Sequence, residues 1–436
     1  MDKRYKILFI FPKWPSAALW GQLRFKFPPL GLLTIAGVTP PEYDIELVDE
    51  NVDSIDFGTD ADLIALSVMT PLAYRAYEIG DAFRAMGKTV VMGGIHVSFE
   101  SEEAAPHADA IVTGEAENIW PRVLDDFSRG RLQKLYRVDE LVDLSPALPM
   151  PRRDLLSEGR YLTRSTIQFM RGCPFDCEFC SVTAFSGRKF RHRPMDCFVE
   201  EYRKLPDPFV FIVDDNILSN RKVATELFHR MRGIRKWWGS QVTISIADND
   251  ELLKTMAACG CKSLFIGFES LNQENLNQVG KKFVKASKNA DRIKRIQDHG
   301  IGILGSFIVG LDHDDTSVFD DLYRFITDVR MEAFMISVLT PFPGTHMTRR
   351  MEAEGRILSK DWRKYDMSTV VYQPRNFTPE QLQERYDELN RSLYSLPSIV
   401  RRVVKPRKNM VIFLPQNLGF RRAWRDLSLM RSAAGA

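Results

Sequence analysis

The sequence predicts an α/β protein built in two parts. A doubly wound parallel sheet covers residues 1–135, and a partial (β/α)6 barrel covers 165–350. A linker at 136–164 separates them, and a small, mainly helical region follows at 351–436. Three observations predict this. Short apolar runs alternate with helical patterns in both parts, as parallel strands with crossover helices require. The run Ser145-Pro146-Ala147-Leu148-Pro149-Met150-Pro151 interrupts the alternation with three prolines, which no helix interior or central strand tolerates. At 436 residues and 44% hydrophobic composition, the chain can build two or three cores.

In the first part, the expected strands are Tyr5–Phe11, Tyr43–Val48, Asp62–Val68, Lys88–Met92 and Asp109–Val112. Each is a short, mostly apolar run closed by Pro, Gly, Asp or Thr. Between Pro71 and Met86, Leu72, Ala76, Ile79 and Phe83 recur at helical spacing, and Gly87 stops that helix. Glu115–Phe127 reads as the closing helix. In the second part, the expected strands are Thr166–Met170, Phe209–Val213, Val242–Ile246, Ser263–Phe268, Gly302–Val309 and Phe334–Leu339. Helices are expected at Val223–Arg232, Asp250–Ala258, Ser287–His299 and Thr316–Val329. Six such units suit a partial barrel better than a full one of eight. Pro379–Leu396 reads as a helix, with Thr378 as its N-cap and Pro at the first helical position.

The net charge of +3 gives no global case for nucleic-acid binding. No run of about 18 apolar residues suggests a transmembrane helix. The N-terminus reads as a first strand, without a signal-peptide pattern. Of six Cys, three lie at 173, 177 and 180, and three are scattered at 197, 259 and 261. That distribution suits a metal site in a reducing cytoplasm better than a secreted disulfide framework.

The most informative segment is Gly172-Cys173-Pro174-Phe175-Asp176-Cys177-Glu178-Phe179-Cys180. Its three thiols follow a barrel strand, and Gly172 and Pro174 disfavour a regular helix there. Three thiolates can hold three irons of a cubane and leave the fourth open to a substrate. Structural zinc usually wants a fourth Cys or His, and His192 downstream is flanked by Arg191 and Arg193, a poor setting for a cation ligand. Arg191-His192-Arg193 could hold an anionic substrate, order the cysteine loop, or be solvated charge. Cys197, Cys259 and Cys261 read as packing residues.

With an aromatic before its last Cys and a β/α barrel behind it, this motif resembles the radical S-adenosylmethionine (SAM) enzymes. Further segments extend the resemblance. Val213-Asp214-Asp215-Asn216, at the second strand exit, resembles the segment near the SAM amino group. Only one of the two acids can face the barrel mouth, and turn or capping chemistry before Val223 is the other reading of the pair. Phe265-Ile266-Gly267-Phe268-Glu269-Ser270 resembles the segment near the SAM carboxylate and ribose. Gly302–Gly310 resembles the segment beside the adenine, and Leu339–Thr345 the sixth strand exit. The resemblance implies Cys173, Cys177 and Cys180 as ligands of a 4Fe–4S cluster, and Asp215, Gly267, Glu269, Ser270, Ser306 and Thr340 as SAM-binding positions. Catalytic groups of such TIM-like barrels sit at the C-terminal ends of strands, and Cys173, Asp214, Asp215, Glu269 and Thr340 fall at or just past such ends.

The first part resembles the Rossmann-like domain of the cobalamin-binding, class B methyltransferase-like members. The resembling stretches are Phe27–Leu33, Ser67–Thr70, Gly93–Val97 and Thr113–Glu117. The implied cobalamin positions are Ser67, Gly93, Gly94, Gly114 and Glu115. Glycines at 93–94 would let a bulky ligand approach the backbone, although tight turns need Gly too. The Asp-x-His-x-x-Gly motif that ligates cobalt in many cobalamin domains is missing. His96 lies in a strand-to-loop turn and reads as structural rather than as a ligand.

The resemblance implies a cobalamin-dependent C-methyltransferase. SAM would be cleaved reductively to a 5′-deoxyadenosyl radical, which abstracts hydrogen from an unactivated carbon of a small-molecule, lipid or natural-product substrate. Methylcobalamin would deliver the methyl group. A flavodoxin- or ferredoxin-type electron donor is implied as well. An oxidative cyclase or coupling enzyme with the same motifs is the alternative, and a non-catalytic cluster sensor or scaffold is a third. The tail from 400 carries nine Lys or Arg against Asp426, with Met410–Leu414, Phe420 and Trp424 interleaved. It reads either as a peripheral contact with the inner membrane face or as a disordered solubilising end.

Overall fold

A computed structural model describes residues 4–146, 149–404 and 409–434. Two compact units emerge. Met1–Ser16 with Phe25–Arg164 form one, and Ala17–Arg24 with Ser165–Ala436 form the other.

The first unit is a parallel sheet of β1 (Lys6–Phe11), β2 (Asp44–Asp49), β3 (Leu63–Ser67), β4 (Thr89–Gly93), β5 (Ala110–Thr113) and β6 (Leu135–Arg137). Their spatial order is β2-β1-β3-β4-β5-β6. The winding direction reverses between β1 and β3, and ligands of such sheets bind outside the carboxyl ends near that switch. Alternate residues Ile7, Phe9, Leu63, Ala65, Val91, Ala110 and Val112 enter one core with Trp120, Val123 and Leu124. The five expected strands are present within a residue or two. The sixth, β6, pairs with β5 through Ile111 and Leu135. Only Tyr136 of β6 is buried, so its apolar signal is a single residue. The closing helix runs over Trp120–Ser128, not from Glu115, because Gly114 turns at φ +82° and Pro121 belongs in a first turn.

The second unit begins with β7 (Thr166–Ile167). A small antiparallel ribbon follows, β8 (Met170–Arg171) with β9 (Arg191–His192). Then come β10 (Phe209–Ile212), β11 (Trp237–Val242), β12 (Cys261–Glu269), β13 (Gly302–Val309) and β14 (Ala333–Val338). Apart from the ribbon, they form one parallel sheet in chain order, β7-β10-β11-β12-β13-β14, the expected six-unit partial barrel. Two strand expectations need correction. Thr166–Met170 is split, because the chain leaves the barrel at Gln168 to form the ribbon. Val242–Ile246 is placed too late: the strand ends at Val242, and Ile244–Asp248 is a tight helical turn. Trp237-Trp238-Gly239 carries a Gly inside the true strand. A Cβ on Gly239 would lie 3.0 Å from the Ser263 carbonyl oxygen, so the close strand approach favours Gly.

Three C-terminal helices follow: Pro379–Leu393, Leu396–Val403 and Met410–Ala434. The first starts with a Thr378/Gln381 capping box. They cover β14, an edge strand. Tyr386 donates its hydroxyl to the Ile336 carbonyl at 3.0 Å, and Tyr394 to that of Phe334 at 2.6 Å. Phe413, Phe420, Trp424 and Leu427 are all buried. The tail is thus a docked helix over its described residues, which corrects the disordered reading. Its aromatics pack inward, so they are not a membrane-facing set. Among the described residues, no helix is long and apolar enough to cross a membrane.

Arg402, one of the basic tail residues, is fully buried. Its guanidinium donates to Met331 O at 3.1 Å, Leu393 O at 3.0 Å and Asn417 Oδ1 at 3.0 Å, and lies over the Phe334 ring. Burial pulls its pKa down to about 10. Arg402→Ala strands those acceptors and opens a cavity. We expect a loss of about 3–5 kcal/mol in urea unfolding.

Candidate functional site

The cysteine loop follows β8, beyond the C-terminal end of β7. Gly172 begins it at φ +84°, and a Cβ there would sit 2.1 Å from the Lys189 carbonyl oxygen across the ribbon, so only Gly fits. Cys173 and Cys180 are half-buried and Cys177 is buried. Cys180 caps the helix Ser181–Ser186, and its N–H donates to Cys177 O at 3.0 Å. Two neighbouring segments clasp the loop. The Glu178 N–H donates to Val279 O at 3.1 Å, while the Met347 N–H donates to Glu178 O at 3.0 Å. Arg350 pairs with the Glu178 carboxylate at 2.6 Å and with Asp312 at 2.9 Å. Gly280, at φ +83°, passes so close that a Cβ would lie 2.5 Å from Asp176 O.

The three thiols are electrostatic neighbours. Burial pushes the Cys177 thiol up to about 12, against the pull of Lys281. Burial also raises the Cys173 thiol. Among the described residues, no three His, Cys, Asp or Glu side chains close to the spacing of a single metal ion. A cubane is bulkier than one ion, and three soft thiols on one loop, with Lys281 against their charge, fit its donor chemistry. Cys259 and Cys261 are buried away from this loop as packing residues; Cys197 is half-buried on the Met195–Lys204 helix.

Lys281 gave no signal in the sequence, since nothing in its spacing connects it to the cysteines. Its Nζ lies 2.5 Å from Glu269 Oε1 and 3.1 Å from Gly267 O. Burial lowers its pKa, but Glu269 and the thiols outweigh that and raise it overall. Glu269 ends β12 at φ +64°, a strained conformation for a non-glycine residue. Its side chain folds back so far that a Cβ on Gly267 would meet Oε1 at 2.3 Å.

Of the other expected SAM positions, Ser270, Thr340 and Asp215 lie just past strand ends, whereas Ser306 lies within β13. Ser270 Oγ accepts from the Asn272 N–H at 3.0 Å and faces Asn275 Nδ2 at 3.4 Å. Asn275 continues to Asp314 Oδ1 at 2.6 Å, and Asp314 accepts from the Gly310 and Leu311 N–H groups at the β13 exit. Ser306 is buried in β13 beside Gly267. Thr340 donates to Val338 O at 3.0 Å. Asp215 Oδ2 accepts from the Gly172 N–H at 2.7 Å, beside the first cysteine. Asp214 is fully buried and accepts from the Phe169 and Met170 N–H groups; burial pushes its carboxyl up to about 8. Within Arg191-His192-Arg193, Arg193 pairs with Glu201 at 2.6 Å and donates to Gln168 O, while His192 stacks on Phe169. These contacts tie the run to the Gln168–Phe169 segment and to the Met195–Lys204 helix.

In the first unit, Ser67, Gly93, Gly94 and Gly114 lie at the carboxyl ends of β3, β4 and β5. Gly94 has φ +108°, and a Cβ there would stand 2.7 Å from the Val68 N and O atoms. The close approach of the β3 exit is therefore one reason this position requires Gly. Gly114 is crowded by Val138 in the same way and donates its N–H to Ser98 Oγ. Glu115 accepts from the Val142 N–H at 2.8 Å, holding the segment after β6. His96 is buried with Nε2 3.1 Å from the Tyr77 hydroxyl, and burial lowers its pKa to about 4. That is a structural histidine.

Residues 167–326 match the radical SAM superfamily, and residues 18–124 match the B12 binding domain. The chain is 31% identical to bacteriochlorophyllide d C-8(2)-methyltransferase of Chlorobaculum tepidum, covering 90% of each chain. It is also 31% identical to bacteriochlorophyllide d C-12(1)-methyltransferase of the same organism, over 88% of this chain and 87% of that one. The fold is similar to that of the radical SAM methyltransferase TsrM from Kitasatospora setae, with a TM-score of 0.69 over 100% of both chains at 16% identity. Because the identity to the two bacteriochlorophyllide enzymes runs through both units, the chain belongs to the cobalamin-dependent radical SAM enzymes.

Proposed function

We propose that this enzyme methylates an unactivated carbon of a small-molecule substrate. Cys173, Cys177 and Cys180 hold a 4Fe–4S cluster, and the first unit holds cobalamin at the carboxyl ends of β3, β4 and β5. The observation that carries the reading is the single loop beyond the barrel strands that gathers three soft thiols beside the buried Lys281 cation. When bound, the cluster supplies the electron for reductive SAM cleavage and cobalamin carries the methyl group. The chain's own residues hold and shield. Arg350 and the Gly280 turn fix the loop, and Lys281 offsets thiolate charge. Ser270, oriented by Asn275, offers a hydroxyl at the β12 exit.

Both bacteriochlorophyllide relatives support a natural-product or lipid-like substrate. The same reading includes an external reductant of flavodoxin or ferredoxin type. Leu396 and Val400, a turn apart on the Leu396–Val403 helix, and Val404 just past its end are exposed beside Arg401 and support a peripheral membrane contact.

The test is anaerobic incubation of the cluster- and cobalamin-loaded enzyme with methyl-labelled SAM, a reductant and candidate substrates. We expect 5′-deoxyadenosine, S-adenosylhomocysteine and labelled product together. 5′-Deoxyadenosine with an unlabelled, rearranged product would instead assign the cyclase-type alternative. A loaded enzyme that cleaves no SAM would overturn the assignment.

A further inference from the structure

The exposed rim of the cysteine loop is strongly basic. Residues 172–192, 279–288 and 341–350 carry nine Lys or Arg against two acids, Asp176 and Glu178, in a chain of net charge +3. Arg350 already meets the Glu178 carboxylate at 2.6 Å. Asp176 is exposed, and cations approach it from two sides. Arg188 Nη1 lies 3.7 Å from its Oδ2 and His346 Nε2 lies 3.9 Å from its Oδ1. Arg349 in turn donates to His346 Nδ1 at 2.9 Å.

Backbone and ring contacts place the other cations beside the same loop. The Lys189 carbonyl lies against Gly172 across the ribbon. Lys282 sits in the chain between two points of contact. A Cβ on Gly280 would lie 3.6 Å from Cys177 Cα, and the Phe283 ring stacks on Phe175 with centroids 4.1 Å apart. Arg188, Lys189, Lys282 and Arg349 are all exposed, whereas Cys177 is buried.

Exposed like charges gathered in this way add nothing to stability and repel one another. They do create a positive field that raises the encounter rate of an acidic partner. Among the described residues, none of the exposed large apolar side chains belongs to these three segments, so the face lacks the groups that insert into a membrane. A charged face of this kind suits the small, brief interfaces of redox proteins.

We propose that Arg188, Lys189, Lys282 and Arg349 form the docking surface for an acidic one-electron carrier protein that reduces the cluster. The inference rests on the cluster assignment above and names where the external reductant binds. The carrier is oxidised by one electron, the cluster is reduced by one, and no bond forms or breaks.

The experiment uses the full chain, reconstituted anaerobically with iron and sulfide, as parent and as two charge-matched variants. The first is Arg188→Glu with Lys189→Glu and Lys282→Glu. The second is Arg203→Glu with Arg235→Glu and Arg295→Glu, three exposed cations ahead of β10, β11 and β13, at the amino ends of the sheet. Iron content is read for each. Cluster bleaching by a reduced acidic flavodoxin and by dithionite is followed at low and high salt. Sedimentation with phosphatidylglycerol vesicles is a separate readout.

We expect parental iron content in both variants. At low salt, reduction by flavodoxin slows about tenfold in the first variant and stays within about twofold of the parent in the second, and the gap closes at high salt. Dithionite at high salt reduces all three chains alike. Where the first variant loses iron, Lys189→Glu and Lys282→Glu singly carry the test, each about two- to threefold slower. Parental flavodoxin rates in the first variant would overturn this inference alone. So would equal slowing of the two variants, or slowing with dithionite at high salt. Loss of vesicle binding with unchanged flavodoxin rates would assign the face to a membrane instead. A parent chain that takes up no iron would overturn the cluster assignment, and this inference with it.

Discussion

Replacing Cys177 by Ala is expected to abolish cluster uptake and SAM cleavage together while leaving the chain folded. Cys177 is the most buried of the three thiols and lies within the electrostatic reach of both others and of Lys281. Two thiols cannot hold the three irons that must be fixed to leave one open. The cost to the fold is small, because only one sulfur leaves a loop that Val279, Met347 and Arg350 clasp through other atoms. Thermal unfolding of the cluster-free variant should lie close to that of the parent, with iron content near zero after reconstitution. Full SAM cleavage by this variant would contradict the site.

Lys281→Met is expected to destabilise the cluster-free chain by about 3–5 kcal/mol, the cost of leaving a buried carboxylate without its partner. The cause is Glu269, held in a strained conformation over Gly267 with its charge met by Lys281 at 2.5 Å. Adding Glu269→Gln should recover most of that loss, since no bare charge then remains. Urea unfolding of the single and double variants measures this. Equal destabilisation in both would show that the pair contributes shape rather than charge. Lys281→Met should also weaken cluster retention, because the cation facing Cys177 is gone.

The fold was legible where apolar periodicity is unambiguous. Gly302–Val309 and Asp250–Ala258 match their elements residue for residue, because each is bounded by a clear turn or cap. Legibility failed where tertiary contacts override local pattern. Trp237–Val242 is a strand although it contains Gly239, because its neighbour strand approaches closely. Leu135–Arg137 is a strand with one buried residue, recruited by an existing sheet edge. The basic tail read as surface because charge alone does not reveal that Arg402 finds three carbonyl or amide acceptors inside.

The cysteine loop was legible from spacing alone, since one short segment supplies all three donors. Its supporting residues were not. Lys281 follows the Gln273–Gln278 helix and Arg350 sits on the His346–Ala353 helix, and only the barrel brings them to the loop. The glycines at 94 and 114 show the converse. Their sequence pattern suggested a ligand, and the structure adds that each also makes room for the chain's own backbone.

The central claim is that one chain carries both a three-cysteine cluster and cobalamin. The most direct test is to reconstitute the full chain anaerobically, offer cobalamin, remove the excess by gel filtration and record the visible spectrum with iron and cobalt contents. The account predicts that cluster absorbance and about one cobalamin per chain co-elute with the protein. A chain that retains its cluster and passes through without cobalamin would contradict it, and would leave the first unit as a substrate or partner module.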